Sequence, residues 1–376
     1  MDECFFSSSC CHIDLAALTR NFFRMGEPSS LLPVIKSDAY GHGLIPVART
    51  LDKAGALHFA VGTVSEGKAL RNLGFHQQIV PLLGAQTQDD WNASFAMRLT
   101  TPILDMESLK MAAQACPDHE FFPVAIACNT GMGRLGFAAD DMPDLIEGLH
   151  RYPMLKPVFA FSHYACADIP EETIYTLAQQ ERFKSMTNAL RAFFPDLSRS
   201  LNNSAGLQIF GGADFELSRP GITLYGGNPF AGTAWEAKGA DFEWVMSVCA
   251  PVLQVRRLKA GQSVSYGRLF TAPQDMTIAI VAMGYATGFP RALSNRSDLL
   301  INGRRCPQIG RVCMGMLAAD VSHLGSTEVG DLAWIIGGHP EPGQRAVTAQ
   351  ELADELETIS YEILCHFGAT NRRIYH

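Results

Sequence analysis

Lys36 lies in the run Pro33-Val34-Ile35-Lys36-Ser37-Asp38-Ala39-Tyr40-Gly41-His42-Gly43, at the end of a short apolar stretch, residues 31–35. That stretch reads as a buried strand; a polar, glycine-containing turn and a helical pattern over 44–51 follow it. A lysine there stands at the carboxyl end of a strand, where α/β folds place their chemistry. Apolar surroundings lower the pKa of an amine, and a neutral amine adds to an aldehyde cofactor. On one lysine alone, a snorkelling side chain explains the same pattern.

The elements that would position such a lysine fall into two groups. Up to about residue 226, short apolar runs alternate with amphipathic stretches: 58–62 before 65–73, 79–84 before 89–97, 121–128 before 140–150, and 157–161 before 171–194. Repeated strand-then-helix units imply parallel strands with helical crossovers. So many units in about 220 residues suit a closed (β/α)8 barrel. The rival is an open doubly wound sheet, but no G-x-G-x-x-G opens the first helix. After about residue 241 the pattern becomes mainly β. Strands are expected over 245–255, 264–270, 278–283 and 332–336, with a turn at Asn302-Gly303. A late helix is expected behind the capping box Thr348-Ala349-Gln350-Glu351, with Leu352, Leu356 and Ile359 on its apolar face. Residues 231–240, rich in small side chains, read as a linker.

The chain has 376 residues, enough for about two domains. With 18% charged residues and a net charge of −8, it lacks the basic cluster that nucleic-acid binding needs. The first residues carry early acids and no apolar core, unlike a secretory signal. No apolar run reaches the ~20 residues of a membrane span. Ten cysteines are scattered with neither disulfide-framework nor zinc-type spacing, so free thiols in a reducing compartment and no metal are expected.

The Lys36 run resembles the cofactor motif of the alanine racemase family, fold-type III enzymes that use pyridoxal phosphate. Further similar segments follow in the family's order: Thr130-Gly131-Met132-Gly133-Arg134-Leu135-Gly136-Phe137, Ser162-His163-Tyr164-Ala165, Asn203-Ser204-Ala205, Arg219-Pro220-Gly221-Ile222, Val264-Ser265-Tyr266-Gly267, Gly284-Tyr285-Ala286, Gly310-Arg311-Val312-Cys313-Met314 and Thr358-Ile359-Ser360-Tyr361-Glu362. The resemblance implies an α/β fold. A (β/α)8 TIM-type barrel would span 1–235, with packing of the first ~10 residues against the other domain left open. A mainly-β domain would span 241–376 and lend a second catalytic base to the partner subunit of a cytoplasmic homodimer. The activity implied is interconversion of L- and D-alanine, supplying D-alanine for peptidoglycan, with no nucleic-acid or membrane partner. A racemase of serine or of a broader set of amino acids, and a catalytically weak pyridoxal-phosphate-binding paralogue, are the alternatives.

Racemisation needs a base on each face of the substrate carbon, with the cofactor as electron sink. By resemblance, Lys36 serves one face and Tyr266 of the other subunit the opposite one. Tyrosine, with a reference pKa near ~10, needs positive charge or hydrogen bonds at its oxygen for this role. Arg219 would face the pyridine nitrogen. An arginine keeps its proton, so that nitrogen stays unprotonated and charge spreads less into the ring. Arg134 would contact the cofactor oxygen and the substrate carboxylate, His163 the ring, and the Met314 backbone the carboxylate. Tyr40, Asn203, Ser204, Gly221, Ile222 and Tyr361 complete the cofactor contacts, the phosphate among them.

The chain departs from the family at several of these points. Ala127 replaces a lysine, carbamylated in many members, that gives the arginine an anionic partner; another acceptor, or an anion such as chloride, is expected beside Arg134. Asn129, Thr287 and Gly315 each replace a carboxylate, and Ser200 replaces a histidine that supports the pyridine arginine. The small residue at Gly315 suggests slower alanine turnover or a broader substrate.

Overall fold

The computed structural model describes residues 9–117, 119–212 and 214–376. They divide into two compact units. One holds 18–39 and 44–242; the other holds 9–17, 40–43 and 243–376. The segments 9–17 and 40–43 therefore belong with the C-terminal half, a division wider than the first ~10 residues. The long C-terminal stretch of that unit starts at Glu243.

In the first unit eight parallel segments close a ring. Strands His58–Val61 and Gln78–Pro81 pair in parallel, and Thr101–Ile103, Phe122–Ala127, Leu155–Phe161 and Ser198–Ser200 form a parallel sheet in that order. The Thr100 N–H donates to the Ile79 carbonyl at 2.9 Å and joins the two sheets. Two extended segments complete the circle. Residues 31–35 bridge to Ala60 on one side and Ser218 on the other, and Leu217 N–H donates to the Arg199 carbonyl at 3.1 Å. This is a (β/α)8 barrel. Burial on both faces explains the apolar runs: Leu32, Ile35, Phe59, Ile79, Ile126 and Phe159 are fully buried. Closure leaves no open sheet edge.

The crossover helices start on side-chain caps. Thr63 accepts from Glu66 N–H, Thr87 from Asp90 N–H and Asp105 from Ser108 N–H, opening helices Val64–Asn72, Gln88–Ala96 and Met106–Ala115. Each cap satisfies an otherwise orphan donor and ends the strand-to-helix loop sharply. Helix Thr173–Arg191 is the longest of this unit.

The second unit is an eight-stranded sheet. Strand Met246–Leu258 pairs with Leu332–Ile336 along its first half and with Met276–Val281 along its second. Six strands thereby close on themselves, and Cys10–Ile13 followed by Arg372–Tyr375 extend the sheet beyond Met246–Leu258. The hairpin at Asn302-Gly303 has φ of 48° and 75°, the left-handed pair of a type I′ turn. Two expectations fail here. Residues 264–270 are not one strand: Ser263–Val264 and Phe270–Thr271 are separated by a turn in which Ser265, Gly267 and Arg268 all have positive φ. The late helix is two, Ala349–Glu355 and Ser360–Thr370, because Glu357 is left-handed at φ 55°.

Gly41 and Gly368 cross backbone to backbone; a Cβ on Gly368 would lie 2.0 Å from the Gly41 carbonyl oxygen. Gly368→Ala should therefore lower stability by at least about 1–3 kcal/mol in denaturant melts, because no flexible side chain is there to move aside. Gly325→Ala, which meets nothing within 4 Å, should be near neutral.

Candidate active site

Lys36 follows the first barrel segment directly. Instead of a right-handed helix, residues 37–40 make a left-handed turn, with φ between 53° and 55° at Ser37, Asp38, Ala39 and Tyr40 and no glycine among them. Such a turn costs roughly 1–2 kcal/mol per residue for L-side chains. Neighbouring groups hold it in place. Ala39 N–H donates to the Ile35 carbonyl at 3.0 Å, and the Asp38 carboxylate accepts from Leu44 N–H at 2.6 Å. Glu66 accepts from Asp38 N–H at 3.3 Å and from Gly62 N–H at 2.6 Å, which ties the turn to the end of the next strand. Non-glycine strain of this kind concentrates at functional sites. The sequence carried no sign of it.

Further round the same rim, Arg219 is 3% exposed. Its guanidinium donates to the Ser200 carbonyl at 2.8 Å and hydroxyl at 2.5 Å, to the Ser162 carbonyl, and to His163 Nδ1 at 3.3 Å. It lies 5.3 Å from the centre of the Phe161 ring. Every acceptor is neutral. Burial, and then the charge of Arg134, lower its pKa to about 9, so it stays protonated at neutral pH. Ser200 thus supports the arginine where the family has a histidine.

His163 is held neutral: burial first, then the charges of Arg219, Arg134 and Lys36, lower its pKa to about 3. Because Arg219 donates to Nδ1, the ring proton belongs on Nε2. The amide nitrogen of Asn203 lies 3.4 Å from that Nε2. Its carbonyl is committed to Gly206 N–H at 2.9 Å, capping helix Ser204–Phe210. Ser204 Oγ accepts from Gly221 N–H at 2.9 Å and Thr223 N–H at 3.4 Å, leaving its own proton to donate elsewhere. The Gly221 amide, expected at a phosphate, is therefore occupied by Ser204. Ile222 beside it is buried and opens a short 3-10 turn.

The Arg134 loop is shaped by Asn129, whose side-chain oxygen accepts from Gly131 N–H at 3.2 Å and Gly133 N–H at 3.0 Å. A neutral amide does there what a carboxylate could do. Arg134 is exposed and makes no ion pair or hydrogen bond among the described residues, so the acceptor expected in place of Ala127's missing lysine is not a described residue of this chain.

In the second unit, Tyr40 and Tyr361 stand with ring centres 6.0 Å apart, and burial pushes the Tyr40 hydroxyl pKa up. Tyr266 is 70% exposed on its strained turn and Met314 is 62% exposed. Ser265 Oγ donates to the Arg311 carbonyl at 2.6 Å, Tyr285 N–H to the Cys313 carbonyl at 3.1 Å and Ala286 N–H to the Met314 carbonyl at 2.9 Å. Three separate motifs of the sequence thus meet in one place. Thr287 Oγ1 accepts from Gly284 N–H at 3.0 Å, and a Cβ on Gly315 would meet nothing within 4 Å. Also in this unit, Cys10, His12 and Cys249 bring sulfur and nitrogen atoms within 4.8 Å of one another, which their spacing does not disclose.

The alanine racemase N-terminal domain model matches residues 13–229 and the C-terminal domain model residues 245–375. The chain belongs to the alanine racemase family. It is 46% identical to the alanine racemase of Nitratidesulfovibrio vulgaris strain Miyazaki F over 96% of each chain, and 37% identical to that of Lawsonia intracellularis over 97% of each. Among solved structures, the biosynthetic alanine racemase of Pseudomonas aeruginosa superposes with a TM-score of 0.87 at 30% identity, covering 99% of this chain and 100% of that one. The Bartonella henselae alanine racemase with covalently bound pyridoxal phosphate gives 0.86 at 26% identity, covering 98% and 100%.

The depressed His163 pKa has a sign. Between pH 6.5 and about 3 the unfolded histidine binds a proton that the folded one refuses, so its contribution to stability falls as pH drops through that window. His163→Gln should remove this dependence. In denaturant melts of the cofactor-free protein at pH 7 and pH 5, the variant should lose up to about 2 kcal/mol less than the parent between the two pH values.

Proposed function

We propose that this chain is a pyridoxal-phosphate-dependent racemase that interconverts L- and D-alanine, with Lys36 and Tyr266 as the two bases. The observation that carries the reading is the rim of the barrel, where Lys36, His163 and Arg219 come from the carboxyl ends of three strand segments and act on one another electrostatically. These residues fit the cofactor. An amine suits its aldehyde, an obligate donor at Arg219 suits an unprotonated ring nitrogen, and a hydroxyl with both acceptor sites used, at Ser204, suits a phosphate oxygen. When bound, pyridoxal phosphate supplies the electron sink that makes the α-proton of an amino acid removable.

The chain's own residues do the rest. Lys36 Nζ takes or returns a proton on one face of the substrate carbon, and Tyr266 Oη on the other. Arg134 and the Met314 backbone orient the carboxylate. Tyr40, Asn203, Ser204, Ile222 and Tyr361 hold the cofactor, Gly221 contributes by fixing the Ser204 hydroxyl, and neutral His163 braces Arg219 without adding a charge. The exposure of Tyr266 supports its use by a partner subunit in a homodimer. The protein would work in the cytoplasm and feed peptidoglycan synthesis. Among the described residues no helix is long and apolar enough to cross a membrane.

Incubation with L-alanine in D2O should give α-proton exchange and D-alanine. Lys36→Ala and Tyr266→Phe should each lower racemisation by about 10²–10⁴-fold, the usual worth of a positioned acid–base group. Mixing these two variants tests the shared site. Half of the dimers then pair one of each, and one of their two sites is whole, so about a quarter of parental activity should return. No recovery after subunit exchange would mean that each Tyr266 serves its own chain. Gly315→Asp should narrow activity toward alanine; equal rates on larger amino acids in parent and variant would remove Gly315 as the determinant of breadth.

A further inference from the structure

One face of helix Thr173–Arg191 grips the root of the Arg134 loop. Tyr175, Gln179 and Arg182 are spaced by four and three residues and so share a stripe. Tyr175 Oη donates to the Gly131 carbonyl at 2.7 Å and Arg182 donates to the Thr130 carbonyl. Gln179 Nε2 donates to Thr130 Oγ1 at 3.3 Å and to the His163 carbonyl at 3.0 Å, while its Oε1 accepts from Ala165 N–H at 2.9 Å. Thr130 Oγ1 and Ser162 Oγ lie 2.8 Å apart. Gln179, Thr130 and Ser162 are 0%, 1% and 4% exposed. One buried amide therefore bridges the loops that follow two neighbouring barrel strands, one leading to Arg134 and the other bearing His163. Its orientation is determined, because only one end of the amide can face an N–H while the other faces two acceptors.

Beyond Thr130 the loop's own hydrogen bonds lie at its base, where Asn129 Oδ1 accepts from Gly131 and Gly133 N–H and Asn129 N–H donates to the Phe137 carbonyl at 2.7 Å. Gly131, Gly133 and Gly136 all have positive φ, and Arg134 pairs with no described residue. Its direction is set where the loop is rooted. We infer that Gln179 is a positioning residue that locks the root of the Arg134 loop to the His163 strand end and so aims Arg134 at the substrate carboxylate. The inference rests on the reading of Arg134 as the carboxylate contact.

The test uses the cofactor-loaded enzyme. Gln179→Met keeps length and volume but removes the amide; Thr130→Val removes the hydroxyl it meets. Each should raise KM for alanine by about threefold to tenfold, the worth of one to two buried hydrogen bonds, with kcat changed less than about twofold. The inhibition constant of acetate, a bare carboxylate, should rise by the same factor. Amide hydrogen exchange over 129–137 should quicken, and the double variant should be no worse than the stronger single one. Arg134→Lys is measured alongside. If it raises both constants while Gln179→Met changes neither KM, acetate inhibition nor exchange, the positioning role is overturned and the Arg134 reading stands. If Arg134→Lys raises neither constant, the carboxylate reading fails and this inference fails with it. A fall in kcat with unchanged KM in Gln179→Met would also overturn it. Should Gln179→Met not fold, Gln179→Glu at pH 8 keeps the acceptor, loses both donors and gives the same readouts.

Discussion

A buried cation without a carboxylate organises the rim of the barrel. Arg219 is surrounded by the Ser162 and Ser200 carbonyls, the Ser200 hydroxyl and a histidine nitrogen. Desolvation of a charge is costly unless its donors are satisfied, and here dipoles rather than an anion do the satisfying. The consequences spread outward. Arg219 helps hold His163 neutral, and its donation to Nδ1 puts the ring proton on Nε2. A carboxylate in this ring of acceptors would cancel the positive potential. Neutral acceptors preserve it, as the proposed contact with a cofactor's ring nitrogen requires.

The lysine depends on a different device. A right-handed continuation after Ile35 is the local default. Four consecutive left-handed residues persist because Asp38 and Glu66 supply acceptors to the N–H groups of Leu44, Asp38 and Gly62. Glu66 is also the capping residue of the next helix, so one carboxylate joins two barrel loops. Tyr40, the last residue of the turn, is buried near Tyr361 because Gly41 and Gly368 allow two backbones to touch. The departures from the family fit this picture of substitution by neutral groups. Asn129 organises its loop as an acceptor, Thr287 binds the Gly284 N–H, and Ser200 binds the arginine.

Apolar periodicity was a good guide wherever a strand is buried on both faces and a poor one elsewhere. Residues 58–61, 78–81, 122–127 and 155–161 stand out because barrel strands lie between an interior and a helical layer. Ser198–Ser200, a Ser-Arg-Ser segment, has no apolar signal and is a strand only because its neighbours offer it a ladder, with Arg199 paired to Glu216 outside. In the other unit, residues 264–270 look like a strand by composition, yet Gly267 and two left-handed neighbours turn the chain and expose Tyr266. Gln179 has no sequence signal, because a glutamine on a long amphipathic helix carries no mark of what it meets.

The order and type of the residues proposed for the chemistry belong to the sequence by itself: a lysine after an apolar strand, a tyrosine between serine and glycine, two arginines in glycine-bearing loops. Residue type is a local property, and chemistry begins with it. Tertiary structure alone decided the left-handed turn at Lys36, the neutral surroundings of Arg219, the proton position on His163 and the bridge made by Gln179. Each of these depends on carbonyls, amides and charges that are remote in the chain, and burial and electrostatic fields arise only once those groups are brought together.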